Sequence, residues 1–390
     1  MAPAPNVIVV GAGIVGSAIA HKVARAGAKV RVLDPVTPGT GGATRMSWAW
    51  INANKKHPEH YRDLNLAGLR RWKAEWPLLV RSCGSLVLGD DDPLAGTDPA
   101  YPATRLSPEE VQRAEPALSD ASASLGGHLY EQEAWVDPVE ACAAMLAAAR
   151  EAGAEVHVGA GAGRAERLLA ERGSGGGLRV TGVETADGAT HAADVVVLAA
   201  GVGSTELAAG VGVALPLLHK PAVAAVTSAL TPGPPLVRHL LSGPGVFVWQ
   251  RPDGTLMLGD TVAHEDASPA YAASLLARAT QLLPPLAGAG LVVEAIEAAY
   301  RPWPADGHPI VGPVPSAPGL YVALMHSGVT LAPEVGALAA AELAAWDAEA
   351  GRPDPARGGA ALAAAQAVLA PYRMDRDFEE GAKRAAYGWK

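Results

Sequence analysis

Short apolar runs separated by glycine turns open the chain and predict a strand, a helix and a second strand. Asn6 to Val10 is an apolar run, Ser17 to Ala26 repeats apolar residues at helical spacing, and Lys29 to Asp34 is a second apolar run. Two parallel strands joined by a helix form a βαβ unit, and this order of elements predicts one. We therefore expect the chain to begin with an α/β domain.

Strand and helix patterns alternate again farther along the chain. The patterns predict helices at Tyr61 to Trp76, Asp137 to Ala152 and Pro333 to Trp346, and strands at Ser85 to Leu88, Glu155 to Val158, Ala193 to Ala200 and Tyr321 to Leu324. Between Pro216 and Ala299 the pattern becomes rich in strands, with a hairpin turn at Pro252 to Gly254. These features predict an α/β fold, α+β overall, with an inserted antiparallel sheet.

The domain limits follow from these changes of pattern. A length of 390 residues allows two or three domains at about 150 residues each. The predicted limits are residues 1–80, 140–215 and 300–350 for the α/β domain, 81–139 and 216–299 for the sheet domain, and 351–390 for a C-terminal helix or tail. The two domains are thus interleaved along the chain.

Composition excludes several classes of protein. The 31 Lys and Arg residues are outnumbered by 40 Asp and Glu residues, so nothing favours a nucleic acid as partner. Cys83 and Cys142 form no CxxC pair, which predicts a reduced, cytoplasmic setting. The apolar run Val7 to Ala20 is broken by glycines, so we expect no integral membrane segment. The abundance of Gly and Pro, 44 and 32 residues, suggests a bacterial source.

The glycine turn after the first strand carries the clearest chemical signal. Gly11, Gly13 and Gly16 form the pattern GxGxxG between a strand and a helix, and Asp34 ends the next strand. The helix amides attract a pyrophosphate, and the carboxylate accepts hydrogen bonds from a ribose. This Rossmann-type pattern predicts dinucleotide contacts at Gly11, Ala12, Gly13, Ile14, Val15, Gly16, Asp34 and Pro35. FAD, NAD and a purely structural glycine turn all remain open on this motif alone.

Five later segments, together with the opening motif, resemble a known family. The segments are Gly42-Ala43-Thr44-Arg45, Asp194 to Gly201, Arg251 to Gly259, Arg301 to Gly312 and His326 to Pro333. In this order, over about residues 6 to 345, the chain is similar to FAD-dependent amino-acid and amine oxidoreductases of the D-amino-acid oxidase superfamily, in the glycine oxidase and sarcosine oxidase branch. The resemblance implies FAD as the cofactor and a Rossmann-type FAD-binding domain interleaved with an antiparallel-sheet substrate domain.

The resemblance also assigns cofactor contacts. It implies contacts with FAD at Gly42, Ala43, Thr44, Arg45, Ala162, Ala200, Gly201, Arg301, His326, Ser327, Gly328, Val329 and Thr330. For these segments the alternatives are a surface loop with a solvated Arg45, a helix-packing Gly201 and a His326 that fills a strand end. Some members of the family attach the flavin covalently through a cysteine or a histidine. Here no cysteine follows Cys142, and no histidine lies between Gly42 and Ser47, so we expect FAD to be held without a covalent bond.

The resemblance implies Arg301 as the substrate residue, since it begins the segment Arg301 to Gly312 at the position where glycine-oxidase-like members hold the substrate carboxylate. A guanidinium suits this role because it binds a carboxylate through two parallel hydrogen bonds. Its alternative is a structural arginine that pairs with Asp306 or a carbonyl. Trp48, Trp50 and Trp249 are candidates for the wall of the substrate cavity, and their alternative is the core. We expect no metal site.

The resemblance implies the oxidation of a C–N bond in a small amine or amino acid, with hydride transfer to flavin N5 and an imine as the product. The alternatives are an NAD-dependent dehydrogenase and a noncatalytic flavin-binding protein. The lysine with which sarcosine oxidase relatives promote reaction with oxygen would fall near Met257, so the acceptor is oxygen or another molecule. The number of subunits stays open.

Overall fold

The structure, a computed structural model, describes residues 4–89, 95, 97–172 and 178–379. The last part of the predicted C-terminal tail, residues 380–390, lies outside the described residues.

The first sheet, which we call the central sheet, contains the opening βαβ unit. In spatial order its six strands are Ile310–Pro313, Leu320–Leu324, Val195–Leu198, Asn6–Val10, Lys29–Asp34 and Glu155–Val158. Neighbouring strands are parallel except for the first two, which are antiparallel. The predicted α/β fold is confirmed, and five of these strands occupy predicted segments, whereas the edge strand Ile310–Pro313 was not predicted.

The two faces of the central sheet bury different partners. Val7 and Val9 pack with the long helices, whereas Ile8 and Val10 pack on the opposite side. The helices are Ile14–Arg25, Glu59–Glu75, Pro138–Glu151, Gly328–Ala344 and Pro355–Leu369. The opposite side carries a small sheet of Ala165–Arg172, Leu178–Thr185 and Thr190–Ala192, and the helix Ser204–Ala209. Burial of both faces explains why the inner strands Val195–Leu198 and Leu320–Leu324 are continuously apolar, whereas the edge strand Glu155–Val158 is partly exposed and carries polar residues.

The second sheet comes from the segments between those of the central sheet. Its eight strands, in spatial order, are Val293–Tyr300, Pro221–Thr227, Leu256–Gly259, Val246–Gln250, Leu240–Gly243, Ser85–Leu88, Gly127–Tyr130 and Thr104–Leu106. One pair, Leu240–Gly243 with Ser85–Leu88, is parallel, and the other pairs are antiparallel. The helix Pro269–Leu282 packs against this sheet. The inserted sheet is therefore present, although the domain limits remain a prediction.

Shorter elements complete the described residues. The two-residue strands are Trp50–Ile51 with Ala134–Trp135, Leu217–Leu218 with Trp303–Pro304, and Trp346–Asp347 with Arg352–Pro353. The short helices are Gly42–Arg45, Pro108–Ala114, Asp120–Ala123, Gly201–Gly203, Pro284–Gly288 and Ala370–Tyr372 in addition to those above. Searching the described helices for a stretch that could cross a membrane gives none of sufficient length and apolarity.

The helix Gly328–Ala344 differs from its prediction. We expected it to start at Pro333, but it runs over Gly328–Ala344 with Pro333 inside. Proline lacks an amide, so the carbonyl four residues earlier loses its helical partner. That carbonyl belongs to Val329, and the indole Nε1 of Trp72 donates a hydrogen bond to it at 2.7 Å. The tryptophan replaces the missing amide, so the helix can begin five residues earlier.

The C-terminal segment is anchored on the fold rather than free. Arg376 donates to the Asp306 carboxylate at 2.7 and 2.9 Å, and Arg373 pairs with the buried Glu342. The Arg376 guanidinium helps to hold the pKa of Asp306 far below its usual range, against the effect of burial. Asp306 is thereby excluded as the partner of Arg301.

Candidate functional site

A large cavity extends from the glycine turn of the central sheet to the second sheet. Its volume is about 1380 Å³, beyond the range of about 300–1000 Å³ that is usual for small-molecule sites. One end, the glycine end, is lined by Gly11, Gly13, Asp34 and Gly163, and the other, the arginine end, by Lys56, Lys220, Arg301, Trp303 and His326. The cavity thus joins the predicted cofactor and substrate residues.

The glycine turn leaves a cradle that fits a pyrophosphate. Gly11 has φ +104°, and a Cβ there would lie 2.6 Å from the carbonyl oxygen of Ala199. At Gly16 a Cβ would lie 1.9 Å from the carbonyl oxygen of Gly11. Gly16 itself does not line the cavity, and it allows the helix to approach the turn. Ile14 and Val15 begin the helix and line the cavity, so the dipole of the helix favours an anion there.

Asp34 links the turn to the second strand. Its Oδ2 accepts from the amide of Ala12 at 2.6 Å, and its Oδ1 accepts from the amide of Val36 at 2.9 Å. Burial raises the pKa of Asp34, and the two amides oppose that effect. Each carboxylate oxygen can accept a further hydrogen bond in addition to the amide that it already binds. Ala12 therefore contributes by orienting Asp34, and Asp34 and Pro35 line the cavity.

The loop after the second strand contacts the same end. Gly42, Ala43 and Thr44 line the cavity, and the hydroxyl of Thr44 accepts from the amide of Ile14 at 3.2 Å. Arg45 departs from its prediction: it is half-exposed and forms an ion pair with Glu297 at 2.9 Å. Because this carboxylate holds its guanidinium, Arg45 lies outside the cavity lining.

The end of the strand Val195–Leu198 forms the third part of the glycine end. Ala200 and Gly201 line the cavity as predicted, next to Ala199. Ala162 does not: its side chain is exposed to solvent, and Gly163 and Arg164 line the cavity instead. A cofactor contact of Ala162 therefore stays a prediction, and its neighbours Gly163 and Arg164 are the residues of this turn that face the cavity.

At the arginine end the first turn of the helix Gly328–Ala344 faces the cavity. The lining includes His326, Ser327, Gly328, Val329 and Thr330. Burial, Lys56 and Arg301 hold the pKa of His326 well below its usual range, so its ring is uncharged at neutral pH. Free amides at a helix start attract negative charge. The predicted flavin loop is therefore a helix N-terminus.

Lys56 and Tyr61 were not predicted as site residues. Lys56 is only 7% exposed and lines the cavity. Its Nζ donates to the hydroxyl of Ser327 at 3.0 Å, and the Tyr61 hydroxyl donates to the same oxygen at 2.9 Å. The Ser327 hydroxyl lies 3.3 Å from Nδ1 of His326. Burial lowers the pKa of Lys56 to about 8, although Glu133 favours its charged form.

Arg301 lies at the end of the strand Val293–Tyr300, on the cavity wall. Its guanidinium donates to the carbonyls of Lys220 and Pro221 at 3.3 and 3.2 Å, and lies 5.2 Å from the centre of the Trp303 ring. No Asp or Glu in the described part of the chain forms an ion pair with it. Burial lowers the pKa of Arg301. The guanidinium is fixed by carbonyls and keeps its charge uncompensated.

Two of the three predicted tryptophans line the cavity. Trp48 and Trp50 belong to its wall, with Trp303 beside them. Trp249 does not line it. Trp249 lies on the same side of its strand as Phe247, which lines the cavity, but two residues farther along. There the centre of its ring lies 5.8 Å from the centre of the Trp135 ring. Trp249 is therefore part of the core and not of the cavity wall.

A buried carboxyl group supports Trp50 from behind. Glu133 is fully buried, and its Oε2 accepts from the indole Nε1 of Trp50 at 2.5 Å. Ser85 and Tyr101 donate hydroxyl hydrogen bonds to the same carboxyl group. Burial raises the pKa of Glu133 to about 7, against the effect of these donors and of Lys56. Nothing in the sequence around Glu133 distinguishes it from its exposed neighbour Glu131.

The central sheet, its glycine turn and the long cavity are the features of a dinucleotide-binding protein. The chain belongs to the FAD dependent oxidoreductase family (DAO), whose profile matches residues 6–342. It is therefore an FAD-dependent enzyme, and the predicted family and cofactor are confirmed.

Individual relatives agree with the family assignment. An uncharacterized oxidoreductase of Bacillus subtilis is 28% identical over 366 residues, which cover 85% of this chain and 92% of that protein. The glycine oxidase of Bacillus licheniformis is 26% identical over 357 residues, 86% of this chain and 92% of that protein. The crystal structure of glycine oxidase from Geobacillus kaustophilus superimposes with a TM-score of 0.74 at 23% identity, covering 96% of this chain and all of that one.

Proposed function

We propose that the enzyme oxidises a C–N bond next to a carboxylate in a small amine or amino acid, giving an imine. The observation that carries this proposal is the partly buried guanidinium of Arg301, held by two carbonyls on the wall of the cofactor cavity. When bound, FAD supplies the acceptor for the hydride that leaves the carbon. The residues of the chain then need to bind, orient and shield the substrate.

Each group at the arginine end supports one of these tasks. Arg301 binds the carboxylate through its planar fork and so fixes the C–N bond relative to the wall. Trp50 and Trp303 exclude water, which strengthens this ion pair. The uncharged ring of His326 packs on Trp303, with 4.1 Å between ring centres, and adds no competing charge. The amides at the start of Gly328–Ala344 favour negative charge in the cavity.

A non-covalent FAD also fits the cysteines. Cys142 is buried, and burial raises the pKa of its thiol to about 12, so the thiolate needed for attachment is scarce at neutral pH. Cys83 is partly buried, and burial raises the pKa of its thiol to about 12 as well. We propose oxygen or another electron acceptor for the second half of the reaction.

Anaerobic flavin reduction by a panel of amines tests the proposed function. Bleaching of the flavin by carboxylated amines, and not by their decarboxylated analogues, is the expected result. Arg301→Met should lower the second-order rate constant of bleaching by a factor that corresponds to about 1.5 to 3 kcal/mol, the range for a hydrogen bond to a charged group. Arg301→Lys should recover part of this loss, because it restores the charge without the fork.

The FAD content of each variant is the control, since Arg301 lies at the far end of the cavity from the glycine turn. Both variants should retain FAD. The same rate constant in Arg301→Met and the wild type would remove Arg301 from substrate binding. A fully loaded enzyme that no amine bleaches would remove the proposed reaction.

A further inference from the structure

Two positively charged side chains meet at the arginine end of the cavity. Lys220 immediately precedes the strand Pro221–Thr227, and Arg301 immediately follows Val293–Tyr300. These strands are antiparallel, and their register pairs Pro221 with Tyr300. The next opposing pair is therefore Lys220 and Arg301, and the amide of Arg301 donates to the carbonyl of Lys220 at 3.3 Å.

The two side chains are also directed to the same place. Both line the cavity, with the Arg301 guanidinium 5.2 Å and the Lys220 Nζ 6.0 Å from the centre of the Trp303 ring. Like charges at directly opposing positions destabilise an antiparallel sheet. The repulsion is stronger in a cavity from which water is partly excluded.

Protein carboxylates do not compensate this charge. Within the described ranges, neither Lys220 nor Arg301 forms an ion pair with Asp or Glu. Four of the described acidic side chains line the cavity. Asp260 is held by Arg278 at 3.1 Å, and Glu166 lies 3.4 Å from Arg164. Asp34 accepts from the amides of Ala12 and Val36, and Glu206 belongs to the helix Ser204–Ala209, which follows Gly201 at the glycine end. A ligand that carries negative charge is left to balance the pair.

We propose that the substrate is an amine with two carboxylates, of which Arg301 binds the one next to the reacting C–N bond and Lys220 binds the second. This inference rests on the proposed function. Arg301 offers the planar fork that fits a carboxylate at a fixed orientation, whereas Lys220 is a flexible point charge that suits a second carboxylate at a variable distance. A substrate with one carboxylate would balance the charge of Arg301 and leave Lys220 without a negative counter-charge.

Pairs of secondary amines that differ by one carboxylate test this proposal. The first pair is N-methylglycine and N-(carboxymethyl)glycine, and the second is N-propylglycine and N-(2-carboxyethyl)glycine. The measurement is the second-order rate constant of anaerobic flavin reduction. In the wild type the diacid should exceed its partner by about 10- to 100-fold in at least one pair, the range for a hydrogen bond to a charged group.

Substitution of Lys220 should remove this preference selectively. Lys220→Met should lower the rate constant of the diacid to that of the monoacid and leave the monoacid unchanged, whereas Lys220→Arg should keep the preference. Lys29→Met is the matched control, because it removes a charge from an exposed lysine that does not line the cavity. Equal losses for both members of a pair in Lys220→Met would show that both cations clamp one carboxylate, which overturns the proposal. A wild type without a preference for the diacid overturns it as well.

Binding of compounds that cannot be oxidised separates this inference from the proposed function. Thiodiacetate and (methylthio)acetate contain no C–N bond and differ by one carboxylate, and calorimetry on the FAD-loaded protein gives their dissociation constants. The diacid should bind more tightly by about 10-fold or more, and Lys220→Met should abolish the difference. If no amine bleaches the flavin, the proposed reaction fails, and these dissociation constants still decide whether the site selects two carboxylates. Equal affinity for the two thioethers would contradict the inference.

Discussion

Lys55 and Lys56 are neighbours in the chain and lie in opposite surroundings. Lys55 is exposed to solvent, whereas Lys56 is buried at the arginine end of the cavity and bound to Ser327. Burial lowers the pKa of Lys56 to about 8, against about 10.4 for an unfolded lysine. Between about pH 8 and about pH 10.4, Lys56 is protonated in the unfolded chain and neutral in the folded protein. Stability therefore rises with pH across this window.

Replacing Lys56 by methionine should remove this rise. Relative to Lys56→Met, the free energy of unfolding of the wild type should increase by about 2 to 3 kcal/mol between about pH 7.5 and 10. Chemical denaturation of the FAD-loaded proteins at a series of pH values measures this difference. Lys55→Met, in which no buried charge is removed, should follow the wild type. If the free energies of unfolding of Lys56→Met and the wild type change with pH in parallel, burial does not lower the pKa of Lys56.

At the scale of single residues the sequence predicts glycines better than charged side chains. Gly11, Gly13 and Asp34 carry a motif whose spacing follows from local geometry, and they line the cavity. Lys56 and Lys220 belong to no motif, because their position depends on segments that are distant in the chain. Arg45 and Trp249 show the converse, since a distant Glu297 and a distant Trp135 keep them from the predicted cavity.

The helix Gly328–Ala344 is the element that brings the central sheet and the arginine end together. Its first turn faces the cavity, and Trp72 of the helix Glu59–Glu75 donates to the Val329 carbonyl that Pro333 leaves without an amide. Local rules place a proline in the first turn of a helix, so the sequence predicts the start of the helix at Pro333. The compensating hydrogen bond is not visible in the sequence, because its donor lies in another helix.

Removing the indole N–H of Trp72 tests this account of the helix start. Trp72→Phe leaves the buried Val329 carbonyl without a partner and should lower the free energy of unfolding by about 1 to 3 kcal/mol. Trp249→Phe is the matched control, because Trp249 is equally buried but its Nε1 has no hydrogen-bond partner. Chemical denaturation measures both variants. Equal destabilisation by the two substitutions would show that the loss is one of packing alone.

For the molecule as a whole, the pattern of apolar runs predicts the two sheets and the alternation of their segments. The α/β fold could be predicted because three inner strands of the central sheet, Asn6–Val10, Val195–Leu198 and Leu320–Leu324, are apolar runs buried on both faces. The single parallel pair of the second sheet, Leu240–Gly243 with Ser85–Leu88, could not, because pairing between distant strands leaves no local signal. The opposition of Lys220 and Arg301 depends on the register of two such strands.

The account rests on one arrangement: a diphosphate held at the glycine turn, with the flavin ring between the first turn of Gly328–Ala344 and Arg301. A crystal structure of the fully FAD-loaded enzyme with a bound carboxylate ligand tests it most directly. We expect the ring within hydrogen-bonding distance of amides in residues 326–330, and the carboxylate on the guanidinium of Arg301. A ring elsewhere in the cavity, or a carboxylate bound away from Arg301, would contradict the account.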